Sequence, residues 1–300
     1  MVNYNQFRSC KWLLEVIREY APITLNEIKA LWKEETRLSG GVELDSRNFR
    51  RFKARLKEEF GVNIICTGRG DYAYSISNPE ILNEKNLGLW MLDTLAVGEK
   101  FHECMGLSDR IILEPIPSGE KNLDIVTDAM IMNKRLQFVY QKYGDPKSND
   151  FEAGVCTLIL YRRRWYILAD INGKKKYTFS LDRMMNVKVT DEDYIMDPSF
   201  NVDTYFGEIY GIFNTGRDIQ TLIIRAFGAE AFQMRDLPVH RSQKEIGTGD
   251  GYADFSLELR PNNELFSYIM SRREHVKILS PNNMIEEFLG SVDAIRNLYH

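Results

Sequence analysis

Apolar residues recur at helical spacing along the first sixty positions. Trp12, Leu13, Val16, Ile17 and Tyr20 share one face of residues 7–20, which predicts a helix. Ala21-Pro22-Ile23 ends it, because proline has no N–H to continue the ladder. Thr24 then offers an N-cap, and Glu27 three residues on completes a capping box. Leu25, Ile28, Leu31 and Trp32 give this second helix its apolar face, and Ser39-Gly40-Gly41 ends it. Asp45 caps a third helix expected to reach Phe60, with Gly61 as its C-cap. Phe49, Phe52, Leu56 and Phe60 form one stripe along it. Residues 62–67 and 71–77 then alternate at period two around Gly68-Arg69-Gly70, which predicts a hairpin.

The pattern changes after Asn78-Pro79. Leu87, Leu89, Trp90, Leu92, Leu95 and Phe101 lie nearly all round a helix, so this segment is expected to pack against something. A break follows at 111–117. Leu123, Ile125, Val126, Ala129 and Met130 predict a further helix leading into a strand over 136–143, and Gly144-Asp-Pro146 turns out of it. Leu158, Leu160, Arg162 and, later, Leu181 and Arg183 alternate with their neighbours. That predicts two antiparallel strands over 155–170 and 174–190, joined at Asn172-Gly173. Residues 197–211 close this region. Beyond residue 217 the order is strand (219–225), helix (229–237), two strands (241–247 and 252–259), helix (262–272) and strand (275–279). Pro281 opens a last helix with Ile285, Phe288, Leu289, Val292, Ile295 and Leu298 on one face. A βαββαβ order is ferredoxin-like. The fold class expected is an α+β multidomain chain.

Composition narrows the class. Three hundred residues allow two or three domains, and 44% hydrophobic with 27% charged residues describes a globular chain. No apolar run approaches the roughly 20 residues of a membrane helix, and the N-terminus lacks a signal-peptide core, so no membrane partner is expected. Cys10, Cys66, Cys104 and Cys156 are far apart, which favours a reducing cytoplasm over a disulfide scaffold. The histidines at 102, 240, 275 and 300 are equally dispersed, so neither a metal nor another cofactor is expected.

The net charge is −4, but its distribution is uneven. Residues 1–78 hold 13 Lys/Arg against 10 Asp/Glu, a net of +3, and the remainder carries −7. Six basic residues and no acidic one lie between 47 and 57. Projected at about 100° per residue, Arg47, Arg50, Arg51 and Arg55 fall on or near the face opposite the Phe49/Phe52/Leu56 stripe. Charge runs are usually solvated faces. Here the run sits on the helix before a hairpin, and helix, helix, basic helix, hairpin is the order of a winged helix-turn-helix. In that arrangement the third helix enters the major groove of duplex DNA. The hairpin would be the wing, with Arg69 at its tip near a phosphate.

Chemistry gives no positive sign of an enzyme. Gly-x-Gly-x-x-Gly, P-loop, His-Glu-x-x-His and Gly-x-Ser-x-Gly motifs are all lacking. Gly247-Thr-Gly-Asp-Gly251 lies between strands and reads as a hairpin loop. The acidic pairs at Glu34-Glu35 and 191–193 have no partners in a recognisable order.

One stretch is more specific. Tyr161-Arg-Arg-Arg-Trp-Tyr-Ile-Leu-Ala-Asp170, followed by Tyr177-Thr-Phe-Ser-Leu-Asp-Arg-Met184, resembles the core of WYL domains. Their Trp-Tyr-Leu tripeptide here reads Trp165-Tyr166-Ile167. On the residues alone, Trp165 and Ile167 are core and the arginines a solvated face. The resemblance implies an Sm/SH3-like β-barrel with Leu181-Asp-Arg183 on a following strand, in a bacterial transcriptional regulator. Such members mostly sense a nucleic acid or nucleotide for an attached DNA-binding domain. It also extends to the C-terminal extension of WYL proteins, through residues 237–243 and Ile278-Leu-Ser-Pro281.

The domains so implied are a winged helix-turn-helix (1–78), a helical connector (79–120), a WYL barrel (121–212) and a ferredoxin-like extension (213–300). The implied partners are duplex DNA, a single-stranded nucleic acid or nucleotide, and a second copy in a homodimer. Tyr140, Arg164, Trp165, Tyr166 and Arg183 would form the ligand surface. Successive strand residues face opposite sides, so if only one of Trp165 and Tyr166 meets the ligand it is Tyr166. Many WYL domains have a proline at the place of Val155 and arginines at those of Phe151 and Tyr177. Either Arg162, Arg163, Lys175 or Lys176 would then compensate, or the ligand would differ. A different class also fits: a non-regulatory accessory or scaffold protein that binds nucleic acid, for example in phage defence.

Overall fold

The computed structural model describes residues 5–68, 72–83, 86–112, 120–173 and 175–300. Arg69, expected at the hairpin tip, and most of the break expected at 111–117 lie outside them. The chain divides into two compact units, Met1–Glu114 and Pro115–His300.

In the first unit the order is α1 (Gln6–Tyr20), β1 (Ile23–Thr24), α2 (Leu25–Glu34), α3 (Thr36–Ser39), α4 (Ser46–Phe60), β2 (Ile64–Thr67), β3 (Ala73–Ile76) and α5 (Leu87–Glu103). The capping box forms as its residue types require: Thr24 N–H donates to the Glu27 carboxylate at 2.8 Å, and Glu27 N–H donates to the Thr24 hydroxyl at 3.3 Å. The Asp45 carboxylate caps α4 through Asn48 N–H at 2.7 Å, and Gly61 ends it in the left-handed conformation, φ 74°. Phe49, Phe52, Leu56 and Phe60 are all buried, together with Leu13, Ile17, Ile28 and Trp32.

Two details differ from expectation. The second helix stops at Glu34 and a separate turn, α3, runs to Gly40; neither glycine nor proline marks the break at Glu35. The hairpin gains a third strand, in the order β1-β3-β2, from a segment of two residues that is too short to show alternation. The apolar connector is α5, and one of its faces belongs to this unit's core through Leu92. Its Glu99 carboxylate accepts the N–H groups of Phe7 (3.1 Å) and Arg8 (2.9 Å), satisfying two free donors at the positive end of α1. Leu87, Trp90, Val97 and Phe101, on the opposite face, are exposed.

The second unit begins with α6 (Glu120–Met132), β4 (Lys134–Gln141), β5 (Ser148–Tyr161), β6 (Arg164–Asp170), β7 (Lys176–Ser180), β8 (Met184–Asp193) and α7 (Val202–Gly207). The strands form one antiparallel sheet ordered β7-β6-β5-β4-β8. The single strand expected over 155–170 is two strands, turned at Arg162-Arg163. Both residues have positive φ, 44° and 64°, as a two-residue primed hairpin requires. Arginine rarely occupies that conformation, so the sequence carries no glycine or asparagine to announce the turn. The strand expected over 174–190 is likewise broken, because Leu181-Asp-Arg183 forms a 3₁₀ turn.

Phe138, Ile167, Phe179 and Leu181 fill the core of this sheet against Val126 and Ala129 of α6. The sheet curls. Ser180 N–H on β7 donates to the Tyr140 hydroxyl on β4 at 3.3 Å, although two strands separate β7 from β4 in the sheet order.

The unit ends with β9 (Gln220–Phe227), α8 (Ala229–Asp236), β10 (Lys244–Gly249), β11 (Tyr252–Leu259), α9 (Asn263–Ser271), β12 (Val276–Ser280) and α10 (Asn282–Asn297). These strands make an antiparallel sheet ordered β10-β11-β9-β12. Phe255, Leu257, Leu265 and Phe266 lie in its core. On α10, Met284 is buried, whereas Leu289, Val292, Ile295 and Leu298 are exposed. Among the described residues no helix is long and apolar enough to cross a membrane.

Candidate ligand cavity and basic helix

Strand β6 sorts its side chains by parity, as a pleated strand must. Ile167 and Ala169 are fully buried in the sheet core, with Trp165 packed against them. Arg164 and Tyr166 take the other face and line a cavity of about 610 Å³. Tyr140, Tyr143, Phe151, Tyr177, Phe179, Arg183 and Phe213 complete most of its wall. Four of the five expected ligand residues, Tyr140, Arg164, Tyr166 and Arg183, therefore meet at one cavity. Trp165 does not line it and packs instead with Ile167 against the sheet core.

The cations are held by rings as much as by charges. The Arg183 guanidinium lies over Tyr143 at 3.8 Å and over Tyr140 at 4.7 Å, and it donates to the Gln141 carbonyl. Arg164 donates to the Tyr143 hydroxyl at 3.0 Å and approaches the Asp182 carboxylate at 3.5 Å. The hydrogen bond to Tyr143, followed by the Asp182 charge, raises the Arg164 pKa and keeps it cationic. Burial pushes the Tyr166 phenol above its ordinary value, although the Arg164 charge pulls it back. At neutral pH the site thus presents guanidinium groups and a protonated phenol beside apolar ring faces. That suits a ligand with an anionic part and a flat aromatic part.

Several lining residues were not among those singled out. Phe151 and Tyr177 stand where many WYL domains have arginines, and both face the cavity, so ring surface replaces charge there. Tyr143 lies in the turn after β4, three residues beyond Tyr140, where strand periodicity no longer applies. Phe213 comes from the segment after α7, far along the chain, and no local pattern pointed to it.

The basic helix is sorted as well. Arg47, Arg50 and Arg51 are exposed on α4. Arg50 Nε donates to the Ser46 carbonyl at 3.0 Å, and the Arg51 guanidinium lies 5.5 Å from the Phe52 ring. Arg55 is turned inward. It pairs with Glu59 at 2.7 Å, donates to the Gln6 side chain and covers the Phe7 ring at 5.3 Å. Three of the four helix arginines thus reach solvent, whereas Arg55 braces α4 on α1. Arg69 is outside the described residues.

Comparison with known proteins bears on the segment that carries the cavity. Residues 121–189 match the family model of the WYL domain. The match covers Tyr140, Arg164, Trp165, Tyr166 and Arg183 but ends before Phe213. No curated protein shows a significant match to the chain. Among solved structures, proteasome accessory factor B/C (PafBC) of Arthrobacter aurescens aligns with 18% identity and a TM-score of 0.34, over 93% of this chain and 44% of that one. The chain thus spans less than half the length of that protein. A CRISPR Cas-related protein aligns with 11% identity and a TM-score of 0.39, over 86% of this chain and 75% of that one. Neither superposition is close enough to transfer a residue or a role.

The environment of Tyr166 in the matched segment has a direct consequence. A near-ultraviolet titration of the parent minus that of Tyr166→Phe should isolate one phenol with a midpoint above the ordinary 10.0. A midpoint below that value would contradict the half-buried setting of Tyr166.

Proposed function

We propose that the chain is a ligand-responsive, DNA-binding transcriptional regulator whose WYL segment senses a single-stranded nucleic acid or nucleotide. The observation that carries this reading is the cavity on β6, where two guanidinium groups and several aromatic rings converge. Stacking on an aromatic ring contributes roughly 1–3 kcal/mol per base, and guanidinium groups suit phosphate. The WYL match over 121–189 supports the same reading.

The proposed organisation is a winged helix-turn-helix over 1–78, a connector over 79–120, an Sm/SH3-like barrel over 121–212 and a ferredoxin-like domain over 213–300. In support, α4 presents Arg47, Arg50 and Arg51 to solvent ahead of the β2–β3 hairpin. The curl of the five-stranded sheet suits a small barrel, and the order β10-β11-β9-β12 suits a ferredoxin-like sheet. A homodimer would pair two half-sites on duplex DNA. The exposed apolar faces of α5 and α10 are its candidate interfaces. A bound ligand would change duplex affinity only by its differential affinity for two states of the protein. The role is non-enzymatic.

Three outcomes follow. Replacing Arg47 and Arg51 with alanine should abolish specific duplex binding with the circular dichroism spectrum unchanged, and reduce the salt slope by about 1 per lost phosphate contact. Binding that ignores salt, or survives in the double variant, would refute the role of α4. Short single-stranded oligomers or cyclic dinucleotides should bind the parent and bind Tyr166→Ala and Arg183→Ala about tenfold or more weakly, consistent with one lost stack or charged contact. Equal binding by parent and variants would remove the cavity from the account. Light scattering at micromolar concentration should give a dimer, and a monomer with and without DNA would count against the paired half-sites.

A further inference from the structure

Phe213 lies beyond the WYL match, yet it forms one wall of the cavity. Its ring meets Tyr166 edge-on, with centroids 6.3 Å apart and planes at 89°. It is 46% exposed and packs into neither core of this unit. The backbone that carries this ring is hydrogen-bonded on both sides. The Glu264 carboxylate on α9 accepts the N–H groups of Ile212 at 2.9 Å and of Phe213 at 3.0 Å. The buried Asn262 amide donates to the carbonyls of Tyr210 at 2.7 Å and Phe213 at 3.0 Å. Gly211 has φ 79°, and a Cβ there would overlap the Glu264 carboxylate, so the close approach requires glycine. From the other side, the Thr178 hydroxyl on β7 donates to the Ile212 carbonyl at 3.3 Å. Burial, then the Glu264 charge, pushes the Tyr161 phenol up to about 12, and that phenol also hydrogen-bonds Glu264.

The geometry points to Phe213 as a base-stacking residue of the cavity, with Glu264 as the positioning residue that holds it there. This rests on the nucleotide reading of the cavity. Arg164 and Arg183 take the phosphate end, and Phe213, held on a separate segment beside Tyr166, takes a nucleobase. The specificity of the WYL cavity is then set partly by the C-terminal part of the chain.

The test uses the whole chain and two probes: a 5′-phosphorylated adenosine trinucleotide, and the same backbone carrying abasic riboses. The parent should prefer the adenosine form. Phe213→Ala should lose about tenfold for adenosine, as expected for one stacked base, with abasic affinity unchanged. Phe213→Trp should restore the preference. Glu264→Ala should show the same base-selective loss, whereas Glu264→Gln, which keeps an acceptor oxygen for both N–H groups, should retain most of it. A parent that binds neither probe overturns the nucleotide reading and this assignment with it. A parent that prefers adenosine while Phe213→Ala matches it, or weakens on both probes alike, overturns the assignment of Phe213 alone. A parent that binds both probes equally also overturns that assignment.

Discussion

A pleated strand must send consecutive side chains to opposite faces, and the site depends on how β6 obeys that rule. Ile167 and Ala169 go inward with Trp165, which anchors the strand in the core formed by Phe138, Phe179 and Leu181. The same parity leaves Arg164 and Tyr166 to the cavity. A one-residue slip of β6 against β5 would turn Arg164 and Tyr166 away from the cavity and Ile167 away from the core. The hairpin at Arg162-Arg163 holds that register by pairing Tyr161 with Arg164 directly. The two positive-φ arginines are strained, and the strain is borne at the turn that sets which residues line the cavity.

Closure of the curled sheet supplies the opposite wall. Through the Tyr140 hydroxyl, β7 meets β4, and the same tyrosine offers its ring to Arg183. One residue thus joins the fold to the site. The cavity depends on this seam at one end and on the Glu264-held Phe213 at the other. Its walls are mostly hydrogen-bonded or ring-packed before any ligand arrives, which lowers the ordering cost of binding.

Much of this was legible in the residues. The capping box, the α4 stripe and the element order after residue 217 follow from local chemistry, and each is present. The turn at 162–163 was not legible, because arginine does not signal positive φ. The break at Glu35 and the two-residue β1 have no local marker, since tertiary contacts decide both. Within the site, strand parity alone separated Tyr166 from Trp165. Phe213 could not be found that way, because its place in the cavity is set by Glu264 and Asn262, about fifty residues further along the chain. Arg55 shares the basic face in projection, but its neighbours Gln6 and Glu59 draw it inward, which a projection of one helix cannot reveal.

In the proposed function, one chain carries two nucleic-acid sites that influence each other. The most direct measurement is the affinity of the whole chain for a labelled duplex, by fluorescence anisotropy, as a short single-stranded oligomer is titrated in. Coupled sites typically change each other's affinity about 5–150-fold. The expected result is a shift of at least about fivefold that levels off as the cavity fills, with a reciprocal shift in oligomer affinity when duplex is present. No shift would contradict coupled sites, as would a shift that never levels off, since that is competition for a single surface.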